Sequence, residues 1–317
     1  MAEEAQGDDY DDIFVYMGGD QQVPRHIRRA RIHKSVKIVR ARAFQYRSSL
    51  IYVEFHDGVE IIEEYAFSNC TSFKGPIKFL GFKIIKGWAF ESCRGLTAVE
   101  FGDKLETIER YAFHGCIGLK KIKMPSVRTI GVAAFANCIE LSDVECGEAL
   151  QTLEFRAYYN CCKLKRIALP TKDGMIGDDI FDYCAKLTKT DLVGGIHNTV
   201  AALNMESWRS EMNTEISRIN QTLPTVVVKT TVIQQWMRTV ISQLDHYKGE
   251  HQQLLKEATT LLELALWKAN LDNNNGGEVE REGVRTRGNR KRARKEICVT
   301  SGADVVIKNV LPFLKLE

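Results

Sequence analysis

Over roughly the first 190 residues, apolar and polar positions repeat with a nearly constant period. The signature Ala-Phe-x-x-Cys, or a close variant, recurs seven times, and its aromatic residues lie 22 or 23 positions apart. After each cysteine position, apolar residues follow at the third, sixth and eighth places, as at Leu96, Val99 and Phe101. The last two alternate with polar residues, which is the period of a strand with one buried face. A fixed period in this range predicts a solenoid of stacked units that share one core.

The aromatic and cysteine positions of the signature are predicted to form a buried structural ladder. Its members are Phe67, Cys70, Phe90, Cys93, Phe113, Cys116, Phe135, Cys138, Tyr158, Cys161, Phe181 and Cys184. A fully buried Phe contributes roughly 1.5–3 kcal/mol, and a free Cys packs as a small apolar side chain. The alternative, a metal or redox ladder, needs accessible thiolates in a positive environment. We expect the packing role, with no metal and no cofactor.

Three departures from the repeat predict local changes in structure. In the second repeat Ile77 and Phe79 lie one position later than the strand frame, so a shift or bulge is expected there. The first repeat has Arg47 in place of the cysteine, which suits an end coil. The last repeat has Asp173 and Ile180 at positions that are otherwise apolar and Ala, so the stack is expected to end and to need a cover.

These features together resemble the BspA-type leucine-rich repeat, whose pattern runs roughly Leu-x-x-Ile-x-x-x-Ala-Phe-x-x-Cys-x-x-Leu-x-x-Val-x-Leu-Pro. The resemblance covers about residues 27–192. It implies an α/β repeat solenoid with a parallel β-sheet on its concave side. Ile27, Ala30 and Ile32 match the strand frame one period before Leu50 and predict an additional first strand.

Beyond the repeats the apolar spacing becomes helical and predicts an α-helical C-terminal module. One helix is expected over 199–221, and Thr231 with Gln234 reads as a capping box that begins a long helix to about Asn270. Five heptads along that helix permit a coiled coil, and hence a homo-oligomer. The alternative is intramolecular: the long helix folds back on the 199–221 helix and covers the open end of the solenoid.

The chain is thereby divided into five segments. They are a disordered acidic leader (1–20), the solenoid (21–194), a helical module with the long helix (195–271), a flexible basic linker (272–296) and a short C-terminal docking helix (297–317). Parts of the third and fifth segments resemble a tail of unknown function found on such repeats in certain algal proteins.

Charge and cysteine content bear on location. The first 20 residues carry seven acids and no base, and residues 21–53 carry nine bases and no acid. The polar start does not resemble a secretory signal, no stretch resembles a membrane span, and nine cysteines fit a reducing compartment. We expect an intracellular protein, cytoplasmic or nuclear and not secreted. A candidate nuclear-targeting run consists of Arg290, Lys291, Arg292, Arg294 and Lys295.

No catalytic motif is recognisable, so a non-enzymatic, protein-binding scaffold is predicted, without a small-molecule substrate. Its candidate partner-binding surface, here called the concave face, consists of the outward strand positions. They are Arg29, Arg31, Tyr52, Glu54, Glu100, Lys121, Lys123, Asp143, Glu145, Arg166, Lys189 and Asp191. Their sign alternates between coils in the later half, which suits a protein partner of mixed charge better than a nucleic-acid backbone. The alternative is a nuclear or nucleic-acid-associated factor that uses the basic segments 21–53 and 285–295.

Overall fold

The computed structural model describes residues 13–275, with side-chain environments given through residue 271. Two sets of short strands alternate along the solenoid, and strands pair in parallel within each set. The first set is β1 (Phe14–Tyr16), β2 (Arg29–Ile32), β4 (Tyr52–Glu54), β6 (Ile77–Phe79), β8 (Val99–Phe101), β10 (Lys121–Met124), β12 (Asp143–Cys146), β14 (Arg166–Pro170) and β15 (Lys189–Val193). The second set is β3 (Ile38–Val39), β5 (Ile61–Ile62), β7 (Ile84–Ile85), β9 (Thr107–Ile108), β11 (Thr129–Ile130) and β13 (Thr152–Leu153).

The second set forms one continuous six-stranded sheet, whereas the first set is divided into three sheets. These are β1-β2-β4, β6-β8 and β10-β12-β14-β15. The first division lies where the sequence predicted a shift. In β6, Ile77 and Phe79 are buried and Lys78 is exposed, so the strand is one residue out of frame, and β6 pairs with β8 but not with β4. The predicted shift is therefore confirmed.

Stacked aromatic rings and cysteines fill the core. All twelve residues of the predicted ladder are buried, as the packing prediction requires. Consecutive signature rings lie nearly parallel, with centroids 4.8–6.1 Å apart from Phe44 to Phe181. Each cysteine also donates its S–H to the carbonyl of the aromatic residue in the preceding coil, over distances of 3.0–3.3 Å. Burial raises the pKa of the Cys70 and Cys116 thiols to about 12, so they stay protonated and able to donate.

The leader is structured from Ile13 onward, so the prediction of disorder over 1–20 is wrong for its last part. Phe14 and Tyr16 alternate with Val15, which is a strand pattern within the acidic stretch, and β1 pairs with β2. Tyr16 is completely buried and meets the Phe44 ring edge-on at 5.2 Å. Tyr16 thus covers the first ring of the stack, a contact that outweighs the acidic composition around it.

Three helices follow the solenoid: α1 (Ile196–Ala201), α2 (Glu206–Thr222) and α3 (Lys229–Asn275), with a short 3₁₀ turn at Leu223–Thr225. The helix predicted over 199–221 is therefore two helices. The long helix begins at Lys229, so the capping box at Thr231 is wrong. The Gln234 side chain donates instead to the carbonyls of Ile176 and Gly177, at 2.9 and 3.0 Å.

Residues 13–200 and 211–242 form one compact unit, in which the helices cover the last coil. The backbone N–H of Phe181 donates to the Thr230 hydroxyl at 3.0 Å, and that of Thr190 donates to the Asn220 side chain at 2.8 Å. Trp236 is buried and its indole N–H donates to the Glu215 carbonyl at 2.9 Å. These contacts agree with the intramolecular interpretation, because they satisfy the polar groups that an uncovered last coil leaves exposed.

The second unit contains residues 201–210 and the part of α3 from Gln243 onward. Within it the Trp208 and Tyr247 rings stack at 5.2 Å. The later heptad positions are open: Leu254 is 37% and Leu261 58% exposed. The coiled coil stays a prediction.

The predicted segment boundaries differ after the helices. Helix α3 continues through Asn275, beyond the predicted start of the linker at 272. The rest of that linker, the run from Arg290 to Lys295, and the predicted helix over 297–317 lie outside the described residues. No helix in the described part is long and apolar enough to cross a membrane.

Candidate protein-binding face

The structure brings the predicted concave-face residues together as two columns of outward side chains, one at each outward position of the strands. Alternation along each strand points them away from the core, because the intervening residues are the buried apolar ones. The strand register then places residues of neighbouring coils side by side: Arg31 beside Glu54, Lys123 beside Glu145, and Asp143 beside Arg166. The two gaps between the three sheets interrupt these columns.

Opposite charges on adjacent strands pair directly. The Arg31 guanidinium lies 2.6 Å from the Glu54 carboxylate, and the Lys123 ammonium lies 2.7 Å from Glu145. Lys78 pairs with Glu100 at 3.2 Å. Lys78 was missed as a face residue because the repeat frame places an apolar residue there. The one-residue shift of Ile77 and Phe79 was the signal that could have found it.

Arg166 is the centre of the largest charge network on the face. Its guanidinium donates to Asp191 at 2.6 Å and to Asp143 at 3.0 Å, and Lys189 lies 3.7 Å from Asp191. Burial by itself lowers the pKa of Arg166, but the hydrogen bonds to the two aspartates outweigh it and raise the pKa. All four side chains are partly exposed, so each pair contributes on the order of 0.2–1 kcal/mol. The network orders the side chains more than it stabilises the fold.

A cleft of about 450 Å³ lies where the concave face is interrupted between β8 and β10. The charged residues that line it are Glu100, Lys121, Lys123, Asp143 and Glu145. Val99, Phe101, Ile122 and Pro125 also line it, and the first three are only 4–6% exposed. The more exposed side chains of the lining are therefore the charged ones and Pro125. The cleft was not predicted, because the strand frame of the two repeats is regular in sequence. The missing pairing between β8 and β10 has no counterpart in that frame.

Tyr52 is the large exposed ring among the predicted face residues, at 44% exposure. It lies beside Arg29 in the register, with the Arg29 guanidinium 5.9 Å from the ring centroid. This end of the face therefore presents an exposed aromatic ring beside an arginine, whereas the region around Arg166 presents ion pairs. Tyr and Arg are enriched among the residues that dominate binding energy at protein interfaces.

The chain matches the family model described as the BspA type leucine rich repeat region, in six copies that span residues 25–126 and 83–199. Among solved structures, it is similar to a leucine-rich repeat protein from T. pallidum, with 25% identity, a TM-score of 0.42, and coverage of 53% of this chain and 77% of that one. A leucine-rich cell surface protein from Faecalibacterium prausnitzii A2-165 is 24% identical, with a TM-score of 0.37 and coverage of 52% and 59%. No curated protein sequence matches the chain.

The family match extends over more than half of the chain and coincides with the described coils. Proteins built from these repeats generally present a surface to a protein partner. The chain belongs to the BspA-type leucine-rich repeat family.

Proposed function

We propose that this protein is a non-enzymatic, intracellular scaffold that binds a protein partner on its concave face. The observation that carries the proposal is the set of paired opposite charges around the cleft between β8 and β10. The pairs hold long side chains in place before binding, so less side-chain entropy is lost when a partner docks.

The charge pattern favours a protein over a polyanion. A nucleic-acid backbone needs a continuous row of bases, whereas Lys123 on this face lies against Glu145, and Arg166 lies between two aspartates. A partner with its own mixed charges can form complementary contacts with each pair. Such complementarity determines which partner is accepted more than it determines the affinity.

An intracellular location, cytoplasmic or nuclear, is part of the proposal. The eight cysteines of the described residues are free thiols, and seven of them are buried. Cys162 is partly exposed and its S–H points to the Asn160 side chain at 3.0 Å. A partly exposed thiol is kept reduced more readily inside the cell. In the alternative nucleic-acid role, the segment 21–53 would be the described binding surface.

The test uses two variants with equal changes in net charge. The face variant carries Lys78→Glu, Lys121→Glu and Lys123→Glu. The control variant carries Lys83→Glu, Lys86→Glu and Lys163→Glu, which lie off the face and also pair with acids of a neighbouring coil. Each protein is used as bait in a native lysate of the source cells, with and without nuclease, and captured proteins are identified by mass spectrometry after equal folding is shown by circular dichroism.

A protein that is captured by the wild type and by the control variant but lost by the face variant supports the proposal. If all three baits capture the same proteins, the concave face is not the binding site. Capture that nuclease abolishes favours the nucleic-acid alternative instead.

A further inference from the structure

The net charge alternates in sign over the first six coils of the solenoid. We define coils 1 to 6 as residues 25–47, 48–70, 71–93, 94–116, 117–138 and 139–161. Counting Lys and Arg against Asp and Glu, these coils carry +9, −5, +3, −1, +4 and −4. Because each coil stacks on the next, coils 2 to 5 each lie between coils of the opposite sign. The next 23 residues, 162–184, carry four bases and four acids, so the alternation ends after coil 6.

As a result of the alternation, neighbouring coils form ion pairs with each other, on more than one side of the solenoid. Glu60 of coil 2 pairs with Lys83 of coil 3 at 2.7 Å. Glu63 of coil 2 lies 4.0 Å from Arg40 of coil 1 and 3.9 Å from Lys86 of coil 3. An acidic coil is thus neutralised from both of its neighbours, which lowers the repulsion among its own charges.

Coil 1 has the largest charge and an acidic coil on one side only. Arg25, Arg28, Lys34 and Lys37 have no carboxylate of the described residues within 4 Å. The end of the solenoid beyond coil 1 is formed by residues 13–24, which carry one acid, Asp20.

Arg47 shows how crowded the bases of coil 1 are. Its guanidinium donates to the Val23 carbonyl, at 3.0 Å from Nε, and is partly buried. Burial lowers the pKa of Arg47, and the nearby positive charge of Arg25 lowers it further. Coil 1 therefore holds a surplus of positive charge at the end of the stack.

The sequence supplies the matching acids directly beside this surplus. Residues 1–12 carry six acids and no base, and they join the chain at Ile13, next to β1. Strand β1 is already paired with β2 of coil 1. Twelve residues can extend up to about 40 Å, whereas neighbouring strands are about 4.8 Å apart. The segment can therefore reach the bases of coil 1 and would add the negative layer that the alternation lacks at this end.

We propose that residues 1–12, here called the acidic leader, are an intramolecular ligand of coil 1 and exclude other acidic segments from its bases. A short tether gives an effective concentration on the order of 1 mM. If a separate acidic peptide binds uncovered coil 1 with a dissociation constant of about 0.1 mM, the tethered leader weakens that binding about tenfold. Coil 1 is in this sense a binding surface for acidic peptides whose availability the leader controls.

The experiment measures binding of a fluorescent peptide with the sequence of residues 1–12 to three full-length proteins, by anisotropy at low ionic strength. They are the wild type, a leader variant with Asp8→Asn, Asp9→Asn, Asp11→Asn and Asp12→Asn, and a control with Glu206→Gln, Glu250→Gln, Glu257→Gln and Glu263→Gln. The control neutralises four exposed helix carboxylates, so both variants gain the same net charge. We expect the leader variant to bind the peptide about tenfold more tightly than the wild type and the control.

Two further variants, made in the leader variant, locate the site. Arg25→Gln, Lys34→Gln and Lys37→Gln remove bases of coil 1 outside the concave face and are expected to abolish the gain. Lys78→Gln, Lys121→Gln and Lys123→Gln are expected to leave it intact. These outcomes do not depend on the scaffold proposal, which is tested on the concave face alone.

Three results would overturn the inference. In the first, the wild type, the leader variant and the control bind the peptide with equal affinity. In the second, removing the concave-face lysines abolishes the gain in peptide affinity as fully as removing the coil 1 bases does. In the third, the leader variant binds duplex DNA but not the peptide. The last result would make coil 1 a polyanion surface that the leader does not occupy.

Discussion

Removing one ring from the middle of the aromatic stack should destabilise the solenoid more than removing one from its end. Phe113 is completely buried, and its ring lies 5.2 Å from both Phe90 and Phe135 in nearly parallel stacks. It also meets Phe101 edge-on at 5.7 Å. Phe181, at the last coil, stacks on Tyr158 at 6.1 Å, its one ring partner in the described part of the chain.

The expected magnitudes follow from these contacts. A buried Phe→Ala substitution costs about 3–5 kcal/mol, and each ring pair contributes about 0.5–1.5 kcal/mol beyond the buried area. Phe113→Ala should therefore reduce the free energy of unfolding by about 5 kcal/mol, and Phe181→Ala by about 3–4 kcal/mol. Phe155 is 42% exposed, and Phe155→Ala should cost less than about 1 kcal/mol.

Guanidinium chloride unfolding, followed by far-ultraviolet circular dichroism, gives the comparison, with the slope of each transition checked for a change in cooperativity. If Phe113→Ala does not fold, Phe113→Leu keeps most of the volume and should cost about 1–2 kcal/mol through the lost ring contacts. The reasoning fails if Phe113→Ala costs no more than Phe155→Ala, or if Phe181→Ala costs more than Phe113→Ala.

Three further substitutions test separate features. The Gln21 side chain accepts from the backbone N–H of Met17 at 2.6 Å and donates to the carbonyl of Val15 at 3.2 Å, on edge strand β1. Gln21→Ala should expose that edge and increase self-association in sedimentation velocity runs, and a sedimentation coefficient equal to that of the wild type contradicts this. Trp88 stacks between two tyrosines at 5.1 and 5.2 Å, and Trp88→Ala should lower the free energy of unfolding by about 1–3 kcal/mol in the same denaturant assay; a change below about 0.5 kcal/mol contradicts the stacking argument. Burial lowers the pKa of His114, so its neutral form is favoured in the folded state and stability should fall as pH drops below the unfolded value of about 6.5. In urea unfolding at pH 7.5 and 5, His114→Asn should lose less stability than the wild type, and an equal loss would exclude His114 as the cause.

The repeat period determined much of the fold from sequence. Side-chain direction along a strand is a local property, so the alternation around Val99 and Phe101 indicated which face is buried without knowledge of the neighbouring coils. The same reasoning identified the aromatic and cysteine ladder and the shift at Ile77. It also predicted the concave-face residues, since each directly adjoins a buried position of its strand.

The tertiary structure decided every feature that depends on the distance between two coils. The cysteines could be recognised as core residues, but their S–H groups find the preceding coil's carbonyl only because adjacent turns stack in register. Gln234 looked like a helix cap in sequence and instead donates to the carbonyls of Ile176 and Gly177, because the last coil brings these otherwise unpaired acceptors within reach of its side chain. The separation of β8 from β10, which creates the cleft, likewise has no counterpart in the repeat pattern.

The charged residues illustrate most clearly what the sequence determines and what the tertiary structure determines. The sign of each coil is a count over the sequence once the period is known, and the charges of Arg166, Asp143 and Asp191 were predicted to face outward. Whether Arg166 contacts both aspartates depends on the strand spacing and on the reach of the side chains. Only the folded arrangement of three consecutive coils determines these. Sequence thus determined which side chains each coil presents, and the stacking of the coils decided which of them meet.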